Sequence, residues 1–244
     1  MGRAHEVRAA SMAKTAAIKS KQNAKYGALI FKAAKSGVPD PDLNQVLKRE
    51  IEKAKKAQIP ADVIKRAIDK AKGGSADDYT EVLYEGFGPN NSMIMVECLT
   101  DNPNRTFTEV RTVFSRSGCK LGVSGSVSHM FTNQAIFSFE GLTEEETLEI
   151  LLMADCDVTD LQYDDGMVSV FAPSSEYAKV RDALTDHNPD IEFLEDGVIW
   201  TPMMYVTLED PEDIKQIEKL KNSLDELDDV QNIYHNIEGL DFTE

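Results

Sequence analysis

Cysteine is scarce in this chain: Cys98, Cys119 and Cys156 are its only three, in 244 residues. Their spacing gives neither a CxxC pair nor an even disulfide framework, so the thiols read as single buried residues in a reducing compartment. Apolar runs are short as well. No stretch approaches the roughly 18 consecutive apolar residues a membrane helix needs, and the opening residues lack the apolar centre of a secretory signal. These absences point to a cytoplasmic protein with no membrane partner. The opening "MGRAHEVRAASMAKTAAIKSK" is also how an organelle transit peptide reads, but the Lys/Ala style continues to residue 72. Met12 is a conceivable alternative start.

Positive charge is the scarcest commodity past residue 72. Residues 73–244 hold nine Lys and Arg against 36 Asp and Glu, a balance of −27. Residues 1–72 reverse this, with 17 basic against seven acidic side chains, or +10. Such asymmetry marks the basic part as a candidate polyanion contact, the bland alternative being a lysine-rich solvated helical surface.

Four histidines show neither metal-ligand spacing nor a neighbouring nucleophile motif, so no metal site, catalytic residue or cofactor is expected. The glycines of "GCKLGVSGS" match neither a phosphate loop nor a dinucleotide fingerprint, and read as a helix stop and tight turns. The acidic cluster at Asp155, Asp157, Asp160, Asp164 and Asp165 lacks a calcium-loop pattern and reads as a solvated rim.

Helical punctuation fills residues 1–76. "SMAKTAAIKSKQNAKYGALIFKAAKSG" predicts one or two Ala-rich helices ending at Gly37. "PDPDLNQVLKREIEKAKKAQ" predicts a helix with Asp40 as N-cap, Pro41 as first residue, and Leu43, Val46, Leu47, Ile51 and Ala54 on its apolar face. "IPADVIKRAIDKAKGG" repeats the design. After the polar break "SADDYT" the period changes to that of strands. "EVLYEGFG" and "SMIMVECL" read as a hairpin, "TFTEVRTVFSRSG" as a helix with Phe107, Val110, Val113 and Phe114 facing the core, and "GSVSHMF" as a strand. From residue 134 the order is β-α-β-β-α-β, with a capping box at Thr143 and Glu146 and a turn at Asp164-Asp165-Gly166. A strand at "MMYVTL", a helix capped by Asp210, and a strand "VQNIYHN" complete the chain. The expected fold class is α+β: an N-terminal helical bundle, then two ferredoxin-like α+β domains, one inserted into the other. The expected bounds are 1–76 for the bundle, 79–133 plus 203–244 for the discontinuous domain, and 134–202 for the inserted one.

The candidate nucleic-acid contacts are Arg3, Arg8, Lys14, Lys19, Lys21, Lys25, Lys32 and Lys35. The last six lie within 22 residues that hold no acid. Lysine is a point charge suited to tracking phosphates rather than reading bases. Arg111 and Arg116 are a candidate secondary contact, whereas Arg105 is equally placed to hold the Asn-rich loop through carbonyls.

The stretch "YEGFGPNNSMIMVECLTDNPNRTFTEVRTVFSRSGCKLGVSGSVSHMF", with the two helical segments before it and "LDDVQNIYHN" near the end, closely resembles the YebC/PmpR family, which includes the mitochondrial translational activator of cytochrome c oxidase. The resemblance covers essentially the whole chain. It implies a three-domain fold and a non-enzymatic role in gene expression, as a DNA-binding transcriptional regulator or as a ribosome-associated factor that helps translation through proline-rich stretches. The positions matching the family pattern are Lys21, Lys25 and Gly27, then Asn102, Asn104, Arg105, Thr106 and Arg111, then Gly118, Leu121, Gly122, Gly125 and Ser126. Ala4-His5 stand where the family usually carries Lys-Trp, which removes an aromatic ring and a charge. A third reading is a protein-interaction adaptor whose acidic part recruits a partner. No small-molecule substrate is expected.

Overall fold

Apolar side chains recurring every three to four residues fold the first 72 residues into three helices. The computed structural model describes the backbone of residues 3–73 and 79–240, and the side chains from Lys19 onward. Helix α1 runs from Arg3 to Lys35, α2 from Gln45 to Lys56 and α3 from Ala61 to Lys72. They bury Ile30, Phe31, Ala33 and Ala34 of α1 against Leu47, Ile51 and Ala54 of α2 and Ile64 and Ala67 of α3. The α2 boundary differs from expectation. Asn44, not Asp40, is the N-cap: its Oδ1 accepts from the Leu47 amide at 3.1 Å. Its Nδ2 donates to the Ala33 carbonyl at 2.9 Å and the Val38 carbonyl at 3.0 Å. Asp40 instead closes a local turn by accepting from the Asp42 amide. Starting the helix four residues later leaves Leu43 and Val46 exposed.

The first sheet is built on the hairpin β1 (Thr80–Phe87) and β2 (Met93–Thr100), paired antiparallel in a continuous register from Thr80↔Thr100 to Phe87↔Met93. Strand β3 (Lys120–Leu121) pairs with β1 and β8 (Val230–His235) with β2, giving the order β3-β1-β2-β8. Helices α4 (Pro103–Arg116) and α7 (Pro211–Asp225) supply its apolar cover through Val110, Phe114, Ile217, Leu220 and Leu224. Asp210 caps α7, as its place before Pro211 predicts. On α4, Thr106 is buried and Phe107 is 44 % exposed, so Phe107 does not belong to the core face. The segment "GSVS" is a loop rather than a strand, because Glu85 captures the amides it would pair with.

The second sheet follows the split β-α-β order read from the sequence. Its elements are β4 (Phe131–Glu140), α5 (Glu144–Met153), β5 (Asp160–Asp164), β6 (Met167–Pro173), α6 (Tyr177–His187) and β7 (Phe193–Pro202), with strand order β5-β6-β4-β7. The Thr143/Glu146 capping box forms. Phe137, Phe139, Val168 and Val170 pack on Leu151, Val180 and Leu184. "MMYVTL" makes no strand: Met203, Met204 and Tyr205 are exposed, and Val206 contributes one isolated bridge to Ile237.

Contacts divide the chain into two compact units. One comprises 1–127, 206–233 and 237–244; the other comprises 128–205 and 234–236. Within the first, the three helices and the first sheet keep separate apolar cores.

Candidate nucleic-acid interface

Lysines on α1 fall into two groups, because a helix of 3.6 residues per turn cannot present all of them to solvent. Lys21, Lys25 and Lys32 share a face, and that face meets the first sheet. The Lys21 ammonium donates to the Asp225 carbonyl at the end of α7 and stands 3.9 Å from the Asp225 carboxylate. Lys25 donates to the Gln231 carbonyl of β8, and Lys32 pairs with Glu81 of β1. Burial pushes the Lys21 ammonium below its ordinary range, against the opposing pull of Asp225, Asp228 and Glu226. It does the same to Lys25, assisted by the charge of Lys21. Three of the expected phosphate contacts are thus engaged within the protein. Lys19 is exposed. Lys35 is exposed with its ammonium 5.6 Å from the centre of the Phe31 ring, a cation–π contact. Arg3, Arg8 and Lys14 lie outside the described side chains.

A count of α1 lysines misses the basic surface of the next two helices. Lys48, Lys55 and Lys56 of α2 and Lys65 and Lys72 of α3 are exposed beside the buried stripes, with the exposed Glu52 and Asp69 set between the paired lysines on the same faces. Lys48 and Lys55, like Lys65 and Lys72, are seven positions apart, so each pair lies on one helical face about 10 Å apart along the axis. The signal was available in the sequence as the polar positions beside Leu47, Ile51 and Ala54.

Arg111 and Arg116 are both exposed on α4. Five residues apart, they project about 140° from each other around the axis, so the helix does not bring them together. The Arg116 carbonyl accepts from Lys219 of α7 at 2.7 Å, and this lysine, also exposed, adds a second positive charge near the end of α4.

The Asn-Pro-Asn-Arg-Thr segment has structural work instead. Asn102 caps α4 by accepting from the Arg105 amide at 3.2 Å. Arg105 forks onto both oxygens of Asp229, at 2.8 and 3.1 Å, and also reaches Asp101 at 3.1 Å. The hydrogen bond to Asp229 holds the guanidinium above its ordinary range. Thr106, fully buried, donates to the Asp229 carboxylate at 2.6 Å, and its oxygen lies 2.8 Å from that of Thr100. The Arg105 partners are therefore carboxylates, not the loop carbonyls expected. Asn104 has an exposed side chain, and its carbonyl accepts from Thr108.

Glu85 of the Tyr-Glu-Gly segment is buried, and its carboxylate accepts from the Gly125 amide at 2.7 Å and the Val127 amide at 2.5 Å. This anion pins the glycine loop. Gly118 ends α4 at φ +73°, which favours glycine, and a Cβ on Gly122 would run into the Ser126 hydroxyl. Leu121 pairs with Gly86 at the edge of the sheet.

Catalytic and metal chemistry gain no support from the described residues. All three thiols are buried and pushed toward the neutral form, Cys98 up to about 12 by desolvation. A neutral thiol is neither nucleophile nor metal ligand. Among the described residues no group of three or more His, Cys, Asp or Glu could hold a metal ion, and no helix is long and apolar enough to cross a membrane.

Similarity to other proteins covers nearly the whole chain. Residues 3–74 match the family model "TACO1/YebC protein N-terminal domain", and residues 79–237 match "TACO1/YebC second and third domain". A protein of Acholeplasma laidlawii named "Probable transcriptional regulatory protein" is 52% identical over 237 residues, covering 97% of this chain and 98% of that one. One of Alteromonas mediterranea with the same description is 51% identical over 236 residues, covering 97% and 98%. Among solved structures, a conserved hypothetical protein from Aquifex aeolicus superposes with a TM-score of 0.74 at 34% identity, covering 90% of each chain. With identity above half along almost its full length, the chain belongs to the TACO1/YebC family.

Proposed function

We propose that this protein is a non-enzymatic regulator of gene expression that grips the phosphate backbone of duplex DNA with its helical part. The observation that carries the reading is the exposed basic surface of α2 and α3, Lys48, Lys55, Lys56, Lys65 and Lys72, on a chain whose remaining residues are strongly acidic. Charge so segregated along the chain favours contact with a polyanion through the basic helices. The names of the relatives favour DNA over other polyanions. Lys19 and Lys35 of α1 extend the surface, with Arg111 and Arg116 as separate outlying contacts. Lysines that carry no forked donors suit sequence-tolerant backbone binding.

The second sheet argues against a role as a stacking platform. Its β-α-β-β-α-β order is shared with RNA-binding sheets, but the residues alternating with its core positions include Glu140, Asp160, Asp164 and Glu195, all exposed. Carboxylates there repel phosphates.

Fluorescence anisotropy with a labelled duplex, titrated with salt, tests the proposal. Each phosphate contact contributes about −0.9 to the slope of log K against log salt, so Lys48→Gln with Lys55→Gln should flatten the slope by about 1.8. An unchanged slope overturns the reading. Ribosomal RNA presents the same phosphates, and the translational alternative predicts a different outcome: ribosome binding that persists at physiological salt while duplex binding vanishes.

A further inference from the structure

The unit spanning 128–205 carries 17 Asp and Glu against two basic residues, Lys179 and Arg181, a balance of −15. Both cations are engaged locally. Lys179 lies 3.7 Å from Glu176 and 3.8 Å from Asp155, and Arg181 donates to Asp196 at 3.1 Å. The surface that results offers anions almost everywhere.

On that surface helix α5 exposes apolar side chains it could have buried or replaced. Thr147 and Leu151 face the core, whereas Leu148 is 45 %, Leu152 66 % and Met153 83 % exposed. Single exposed leucines are ordinary; three within six residues of one helix are a patch. Glu145 and Glu149 stand exposed on the same outer side. Leu148, Leu152 and Met153 alternate with Glu145 and Glu149 over an arc of about 140° of the helix surface.

We propose that the outer face of α5 docks a basic amphipathic helix of a partner protein, its Leu or Ile side chains covering Leu148, Leu152 and Met153 and its Lys or Arg side chains meeting Glu145 and Glu149. Charge selects the occupant. A nucleic acid would be repelled by −15 and has no apolar side chains to offer the patch. A second copy using the same face would set like charges against each other, as an isologous dimer must. A cationic helix satisfies both components and is steered in by the field. The inference stands apart from the phosphate-binding proposal, which rests on α2 and α3.

The test uses the full chain and a fluorescein-labelled Leu/Lys peptide of about 18 residues, five helical turns, with leucines spaced i, i+3, i+4. Anisotropy at about 0.15 M salt should show saturable binding, and a peptide of the same composition in scrambled order should bind far less. The variant L148Q/L152Q/M153Q, altered only at exposed positions, should weaken the ordered peptide about tenfold or more, with circular dichroism unchanged and duplex DNA affinity retained. The variant E145K/E149K should weaken binding and reduce its salt dependence. Equal affinity for the scrambled peptide, or unaltered binding by the triple glutamine variant, overturns the proposal. So does sedimentation showing a dimer of the native chain that the triple variant abolishes, since the face would then belong to a second copy.

Discussion

Replacing Asp229 with alanine should destabilise the protein far more than replacing its charged partner Arg105. The Asp229 side chain is only 12 % exposed and accepts from two donors of different character. Arg105 is 45 % exposed, so water can take over its hydrogen bonds and screen its charge; its ion pair is worth about 0–1 kcal/mol. Thr106 is buried, and Asp229→Ala takes away its charged acceptor, a bond worth about 1.5–3 kcal/mol, leaving its hydroxyl the neutral Asn102 carbonyl at 3.1 Å and the Thr100 hydroxyl at 2.8 Å. Asp229→Ala should therefore cost about 2–3 kcal/mol and Arg105→Ala under about 1, whereas Thr106→Val, which takes a donor from the nearly buried carboxylate, should cost about 1–3. Urea unfolding monitored by circular dichroism reads these values as shifts in midpoint at constant slope. A double-mutant cycle should show stronger coupling of Asp229 to Thr106 than to Arg105. If Arg105→Ala costs as much as Asp229→Ala, or if Asp229→Ala costs less than about 0.5 kcal/mol, the assignment of this cluster as a staple between α4 and the start of β8 is wrong.

Asn44→Ala removes an N-cap and the amide donor shared by the Ala33 and Val38 carbonyls, the first of which keeps the Ser36 hydroxyl, and should cost about 2 kcal/mol in the same urea assay. Gly86→Ala places a methyl on the Phe114 ring and 2.9 Å from the Lys120 carbonyl, so unfolding should come at least about 1–3 kcal/mol earlier; native-like stability would mean α4 packs less closely on β1 than the structure shows. Burial lowers the Lys25 pKa below its unfolded value, so between the two values the unfolded chain binds the extra proton and stability rises with pH. Lys25→Met abolishes that contribution. The wild type should gain in urea midpoint relative to the variant as pH climbs from neutral toward 10.5, and a flat difference would refute the buried ammonium.

The sequence disclosed elements whose causes are local and concealed those whose causes are distant. The capping box at Thr143, the Asp210-Pro211 start of α7 and the Gly118 stop of α4 each depend on residues a few positions apart, and each forms where its chemistry places it. Asp40 is an adequate cap by the same criteria, yet Asn44 prevails because its amide also bonds the Ala33 carbonyl in the last turn of α1, 11 residues back, and the Val38 carbonyl beyond it. The strand expected at "GSVSHMF" was overridden by Glu85, some 40 residues earlier, which takes the Gly125 and Val127 amides. Thr106 displaces Phe107 from the core face because a buried hydroxyl there has Asp229 to bond, 123 residues away. Periodicity identifies an apolar face; it does not know which polar side chain will find a buried partner.

The lysines show the same divide. In the sequence Lys21, Lys25 and Lys32 look like Lys48, Lys55 and Lys65, all charged and all on helices. What separates them is the opposite wall. The first three face the carbonyl end of α7, the Gln231 carbonyl and Glu81, and the negative end of a helix dipole together with carboxylates holds an ammonium there. These partners hold the ammoniums against the first sheet in spite of the burial that lowers the pKa of Lys21 and Lys25. Among the described residues, Lys48, Lys55 and Lys65 meet no such wall. A basic count of 17 in the first 72 residues therefore overstates the charge available to a polyanion. Part of it is consumed in joining the helices to the first sheet, and only lysines left outside that joint can release counterions from a nucleic acid.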